Sequence, residues 1–310
     1  MNILVTVNDN YVYPLKIMLG SLFRHNKEEE ITVYLLHSDV SEKNRKTLDR
    51  MISYYGGKFV PIHVSEDLFA DAPCPEYFSK EMYYRILAPW ILPELNRVLY
   101  LDPDMVVLQD LSKFYQMDMN GFCYAGCKDR YGYSRLQRRD PGKWSDHIYI
   151  NSGVLLCNLM ELRYVTTKEE YLKYIEDHKD ELEYPDQDVI NFMNYNRIRY
   201  ADEKYNLDPN NLHAWEYIAM IFKPLNFLCK PFIFHYMGGD KPWFRTYNRL
   251  GLKWYVQEEK QINPHIKNTR DEELSRARKR DMHHLLYFGY CAIRRIKRKV
   301  FKIDSDVFME

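Results

Sequence analysis

Residues 97–108 read RVLYLDPDMVVL, and the fold turns on them. Arg97–Leu101 is a short apolar run, partly β-branched, that stops abruptly at Asp102-Pro103-Asp104 before MVVL resumes as a strand. A continuous apolar run of this length fits a strand buried on both faces. Ahead of it the chain alternates. Residues 2–7 (NILVTV), 31–37 (ITVYLLH) and 59–64 (FVPIHV) are apolar runs. Between them lie helical patterns: residues 13–25, with Leu15, Met18, Leu19 and Leu22 on one face, and a helix from Ser41, its expected N-cap, to Tyr54. This strand–helix rhythm predicts a parallel α/β sheet with right-handed crossovers. Beyond it the pattern predicts a helix over 83–91, strands over 121–127 and 153–159, a helix over 168–179, and an irregular loop over 131–147.

Asp102 and Asp104 therefore lie past the carboxyl end of a central strand, where open α/β sheets bind ligands. In extended backbone, residues i and i+2 face one side, so both carboxylates can address one point. Two hard oxygen donors suit Mg²⁺ or Mn²⁺; a solvated turn is the competing reading. No GxGxxG follows the first strand and no GxxxxGK[ST] occurs, which counts against dinucleotide and P-loop chemistry.

Five blocks in one order resemble the family 8 retaining glycosyltransferases, the group that includes bacterial lipooligosaccharide galactosyltransferases and glycogenin: VTVNDNYVYPLKIMLGSL, YYRILAPWILPELNRVLYLDPDMVV, NSGVLLCNL, YPDQDVIN and HYMGGDKPW. The resemblance implies a GT-A type, Rossmann-like mixed sheet flanked by helices. It implies a divalent metal, Mn²⁺ or Mg²⁺, on Asp102, Asp104 and His235. Thr6, Asn8, Asn10 and Tyr11 match positions that hold uridine, and Arg85 matches a donor-binding arginine. Gly238 and Lys241 match a clamp on the diphosphate. Asp186, Gln187 and Asp188, with Asn151, match sugar-side residues, and Asp129 an acidic position between donor and acceptor. Two departures stand out: an acidic residue is frequent at the position of Asn8, and Pro103 removes one backbone N–H from the DxD. On their own, His235 reads as a core histidine, Arg85 as half of a surface ion pair, Lys241 as a solvated lysine, Asp129 as a strand-end turn, and Asp186 as an N-cap.

The implied reaction is retaining transfer of a hexose, galactose or glucose, from a UDP-sugar to a glycan or lipid-linked acceptor such as lipopolysaccharide. Gln187, an amide, is a poor nucleophile, which favours front-face transfer over a covalent intermediate. The rival readings are a self-glucosylating protein of the glycogenin type, a non-catalytic sugar-nucleotide binder, and a UDP-sugar hydrolase.

The chain has 310 residues, 46% of them hydrophobic, enough for a large core. None of its six cysteines forms a CxxC pair, so a reducing compartment is expected rather than a disulfide framework. MNILVTVNDN is no basic leader, and no run of about 18 apolar residues follows, so a cytoplasmic protein is expected. Formal net charge is zero, yet ten Lys/Arg and one Asp fall between Arg276 and Lys302. There Met282, Leu286, Gly289, Ile293, Ile296, Val300 and Ile303 form one helical stripe, bordered by Arg294, Arg295, Lys297, Arg298, Lys299 and Lys302. The expectation is a catalytic domain over 1–245 and a helical extension over 246–310. Residues 276–303 of that extension would lie on an anionic membrane surface, at roughly 1 kcal/mol of attraction per basic residue. Docking on the protein itself is the alternative, and no nucleic-acid partner is expected.

Overall fold

The computed structural model describes residues 1–74, 79–129, 147, 149–209, 230–247, 249–263, 270–277 and 279. The basic stripe from Met282 onward, and all of the 131–147 loop except His147, lie outside the described residues. By contacts the chain groups into two compact units, 1–207 with 231–241, and 208–230 with 242–310.

The first unit follows the expected rhythm. Its elements run β1 (Asn2–Thr6), α1 (Val12–His25), β2 (Thr32–His37), α2 (Glu42–Tyr54), β3 (Lys58–His63), α3 (Ala88–Ile91), β4 (Arg97–Leu101), β5 (Met105–Val107) and α4 (Ser112–Tyr115). There follow β6 (Tyr124–Lys128), β7 (Ile150–Asn158), α5 (Leu159–Val165), α6 (Lys168–Asp177), α7 (Pro185–Met193), β8 (Ile198–Tyr200) and β9 (Ile233–His235). Ser41 caps α2 as expected, accepting from the Asn44 amide. The segment expected to be helical over 83–91 is instead a 3-10 run, Lys80–Leu87, leading into the single turn α3.

The seven-stranded sheet has the order β3-β2-β1-β4-β7-β6-β8. β3, β2, β1 and β4 are parallel, whereas β7 runs antiparallel to both β4 and β6. The sheet is thus mixed, as the resemblance implies, rather than wholly parallel, as the strand–helix rhythm alone suggests. A run buried on both faces carries no record of its direction, so periodicity could not reveal the reversal. β5 leaves the main sheet and pairs antiparallel with β9, Met105 opposite His235.

Alternation along the central strands builds two cores. Ile3, Val5, Leu99 and Leu101 face one layer, with Leu15, Met18, Leu19 and Leu22 of α1 and Leu48 and Ile52 of α2. Leu4, Val98 and Tyr100 face the other, with Tyr83, Tyr84 and Ile86 of the 3-10 run and Val189 and Ile190 of α7. Each fully buried aliphatic side chain contributes about 1.5–3 kcal/mol, so β1 and β4 are held from both sides and their carboxyl ends are rigid. The second unit contains α8 (Leu252–Ile262) and a helical stretch over 271–277, joined by Arg270, which lies 2.7 Å from Glu259 and 2.8 Å from Glu273. Among the described residues no helix is long and apolar enough to cross a membrane.

Candidate active site

At the end of β4 the chain bends at Pro103–Asp104 instead of continuing extended. The β5–β9 pairing then carries His235 to this bend. Its Nε2 lies 3.2 Å from Asp104 Oδ1 and 3.7 Å from Asp102 Oδ2. One ligand atom from each of Asp102, Asp104 and His235 falls within 4.8 Å of the others. Gly153 of β7 makes this approach possible: a Cβ there would meet His235 Cε1 and stand 2.6 Å from Asp102 Oδ2. His235 is no ordinary core histidine, because the groups its Nε2 meets are carboxylates.

The two oxygens of Asp102 have different surroundings. Oδ1 accepts from the Tyr100 hydroxyl at 2.6 Å and faces Arg85 Nη2 at 3.1 Å. Oδ2 is turned toward His235. Tyr100 in turn contacts Thr6 Oγ1 at 3.1 Å, and the Arg85 guanidinium lies 4.1 Å over its ring. Arg85 is buried, not a surface partner; it donates to the Ser152 carbonyl at 2.7 Å and stands 3.3 Å from Asp186 Oδ2. The last contact is an ion pair without hydrogen-bond geometry, because the Arg85 Nε–H is directed to the Met82 carbonyl at 2.9 Å. Burial raises the Asp186 pKa, and Arg85 offsets that only in part.

Lys241 is buried too, contrary to the solvated reading. Its ammonium pairs with Asp104 and donates to the Tyr236 carbonyl at 2.9 Å. Burial alone would push the Asp104 pKa up, but Lys241 and then His235 outweigh it and hold the carboxyl well below its usual range. For His235 burial works downward, and Asp104 and Asp102 prevail in the upward direction. Two carboxylates and an imidazole nitrogen, gathered beside the Lys241 ammonium, fit a divalent cation of the Mn²⁺ or Mg²⁺ type.

A second group lies alongside. Gln187 Oε1 accepts from the Ser152 amide at 2.9 Å and from Asn151 Nδ2 at 3.0 Å, while Gln187 Nε2 donates to Asp129 Oδ2 at 3.0 Å. Asp188 accepts from the Tyr149 hydroxyl at 2.5 Å and from the amides of Glu183 and Tyr184 at 2.8 and 3.0 Å, which ties the turn before α7. The helix starts at Pro185, with Tyr184 as N-cap, so Asp186 is inside the first turn and is not the cap. At the opening of the chain Asn8 caps a 3-10 turn by accepting from Asn10 N at 3.1 Å, and Asn10 is exposed. Tyr11 is close enough to Lys241, Asp104 and Asp102 to feel their charges, though burial dominates in raising its pKa. Gly238 takes a left-handed φ of 83° with open space where a Cβ would be.

The sequence profile described as Glycosyl transferase family 8 matches residues 2–247. This chain belongs to that family. It is a glycosyltransferase with a GT-A fold. It is 28% identical over 261 residues to general stress protein A of Bacillus subtilis, covering 78% of this chain and 87% of that one. Against the lipopolysaccharide 1,2-glucosyltransferase of Escherichia coli K12 the figures are 23% over 266 residues, 82% and 76%. Among solved structures, the galactosyltransferase LgtC with donor and acceptor sugar analogues superimposes with a TM-score of 0.72 at 25% identity, covering 85% of this chain and 96% of LgtC.

Sequence reading missed Tyr100, Ser152, Gly153 and Asn206. Tyr100 had a signal: in a strand, residue i−2 faces the same side as Asp102. Ser152 and Gly153 lie in the NSGVLLCNL block, of which only Asn151 was singled out, and for Asn206 the sequence carried no signal, since its importance depends on neighbours distant in the chain.

Proposed function

We propose that this protein transfers a hexose, galactose or glucose, from a UDP-sugar to a glycan acceptor such as lipopolysaccharide, with retention and with a divalent ion, Mn²⁺ or Mg²⁺. The observation that carries this reading is the convergence of Asp102, Asp104 and His235 within 4.8 Å of one another beside Lys241. The names of relatives that act on lipopolysaccharide with glucose or galactose support the donor and acceptor class. Asp102 Oδ2, Asp104 and His235 Nε2 would hold the ion, which would offset the charge that builds on UDP as it leaves. Lys241, released from Asp104, would then face the diphosphate. Thr6, Asn8, Asn10 and Tyr11 would hold uridine.

Arg85 and Tyr100 hold Oδ1 of the Asp102 carboxylate and so keep Oδ2 turned toward His235. Both acceptor directions of Gln187 Oε1 are already taken by N–H donors, so this oxygen is poorly placed to form a bond to carbon. That favours front-face transfer, with the acceptor hydroxyl entering on the side the leaving group vacates. In this reading the protein works at the inner face of a bacterial cytoplasmic membrane, attached through residues 276–303; support comes from their basic amphipathic pattern.

A panel of UDP-sugars with Mn²⁺, scored for UDP release and protection against heat, tests the reading. Release from UDP-galactose or UDP-glucose, abolished by EDTA, is the expected result. Absence of both release and protection across the panel rejects it. A mass increase of the protein itself would point to self-glucosylation instead.

A further inference from the structure

His235 and Gln187 are joined by a row of hydrogen bonds through two asparagines. Asn206 Oδ1 lies 2.9 Å from His235 Nδ1, and Asn206 Nδ2 lies 2.8 Å from Asn151 Oδ1. Asn151 Nδ2 continues to Gln187 Oε1 at 3.0 Å. Amide oxygen and nitrogen are assigned from their partners, and here two backbone groups fix every assignment. A peptide N–H can only donate. The Gly153 amide is 2.9 Å from the Asn151 atom that faces Asn206, so that atom is the oxygen. The Asn206 atom touching it is then the NH₂ group, and the atom Asn206 turns to His235 is its carbonyl oxygen. His235 Nδ1 must therefore carry a proton. From the other end, the Ser152 amide makes the Gln187 atom at 2.9 Å an oxygen, so Asn151 presents NH₂ to it and Gln187 presents NH₂ to the Asp129 carboxylate. The Gly153 and Ser152 amides thus fix Asn151 in the same orientation from opposite ends of the row. Reversing any one amide would set donor against donor or acceptor against acceptor. Asn206, Gln187 and His235 are all buried, which leaves water little room to repair the mismatch.

The backbone pins Asn206 at this point. It follows a 3-10 turn, Glu203–Tyr205, and the next residue, Leu207, donates its amide to the Ile233 carbonyl and accepts from the amide of His235 at 3.0 Å.

We propose that Asn206 is a positioning residue which couples the imidazole of His235 to the amides of Asn151 and Gln187, holding the proton on Nδ1 so that Nε2 is left for a cation while orienting Asn151. The coupling rests on the metal-dependent transfer proposed above. A ring nitrogen's availability is set by the bond its partner nitrogen makes, and such supporting contacts are worth about 10–100-fold in metal affinity or activity.

Two variants separate the halves of the claim. Asn206→Asp keeps an acceptor for Nδ1–H but offers no N–H to Asn151. Asn206→Ala offers neither. With histidine labelled in ¹⁵N, and His235 assigned by its loss in His235→Gln, the metal-free wild type and Asn206→Asp should show a protected Nδ1–H resonance that Asn206→Ala lacks. Calorimetry of UDP with Mg²⁺ should give a loss of about 10–100-fold for Asn206→Ala and little change for Asn206→Asp. Turnover should fall in both, with donor KM raised only in Asn206→Ala. The proposal is overturned if wild-type Nδ1 carries no proton, if Asn206→Ala keeps wild-type affinity, or if the two variants lose affinity equally, since the acceptor that only Asn206→Asp retains at Nδ1 would then make no difference. Should the wild type neither bind UDP with Mg²⁺ nor turn over, the transferase reading fails. The Nδ1–H resonance still decides the role of Asn206.

Discussion

The Tyr100 hydroxyl donates to Oδ1 of Asp102 at 2.6 Å, from a side chain with no solvent exposure. Two residues apart on one strand end, the pair links a core residue directly to the candidate cation site. Tyr100→Phe removes one oxygen and keeps the ring under Arg85. Asp102 then loses the bond that turns Oδ2 toward His235. The expected result is a loss of about tenfold or more in Mn²⁺-supported UDP binding, with an unchanged circular dichroism spectrum. Wild-type affinity in that variant would show that Arg85 alone suffices to orient the carboxylate.

Gly153→Ala tests the close approach of β7 to the site. The added Cβ would stand 2.6 Å from Asp102 Oδ2 and would also strike the His235 ring. The flanking strand is fully paired with β4, so the backbone cannot retreat cheaply. The two ligands must part instead. We expect a folded protein that no longer gains thermal stability from Mn²⁺ and UDP together; a shift equal to that of the wild type would mean the site can absorb a methyl group.

How much of this could be seen in the sequence differs from residue to residue. Arg97–Leu101 was legible because burial on both faces leaves a continuous apolar run, and Asp102 and Asp104 were legible because they interrupt it. Their convergence was expected from extended geometry, yet it arises at a bend. His235 reaches them only because β5 leaves the sheet to pair with β9, which no local pattern encodes; the resemblance supplied it. The burial of Arg85 and Lys241 was hidden for a related reason. Local pattern treats an isolated charge as solvated, and only the opposing Asp102, Asp186 and Asp104 make burial affordable.

His37 gives a prediction about acid. It is buried at the end of β2, and its Nδ1 has no hydrogen-bond partner among the described residues. Burial, then Arg45 and His63, hold its pKa below the ordinary 6.5, with Asp9 pulling the other way. The unfolded chain thus takes up a proton near 6.5 that the folded chain resists. Stability contributed by the neutral ring is present above that pH and is lost as pH falls toward the lower folded value. His37→Gln should therefore lose less stability than the wild type in urea titrations across about pH 8 to 5. Histidines other than His63, which acts on His37 directly, contribute alike to both proteins and cancel in the comparison. Parallel losses would remove His37 as the cause.

The basic stripe bears on location. Truncation after Asp281 removes Met282–Glu310, and with it the apolar stripe and six of the ten basic residues between Arg276 and Lys302, while sparing the described helix over 271–277. On anionic vesicles the full chain should co-sediment and release with rising salt, because the attraction is screened over about 10 Å at 0.1 M. The truncated chain should remain in the supernatant. Equal partition of the two would favour docking of the stripe on the protein itself.

Lys241 connects stability to the cation. Its ammonium neutralises Asp104 inside the site, where both side chains are nearly buried. Removing one member of a buried pair strands the other, at a cost of about 3–5 kcal/mol when nothing else compensates. Here His235 remains 3.2 Å from Asp104, so Lys241→Met should cost less than that range in EDTA. A divalent ion would supply the missing charge at the same carboxylate. Mn²⁺ with UDP should accordingly raise the melting temperature of Lys241→Met by more than it raises that of the wild type, because in the wild type the ion must first displace the lysine from Asp104. Donor KM should rise in the variant even so, since the released ammonium is the group expected to meet the diphosphate. Equal shifts in the two proteins would mean that Lys241 and the ion do not compete for Asp104.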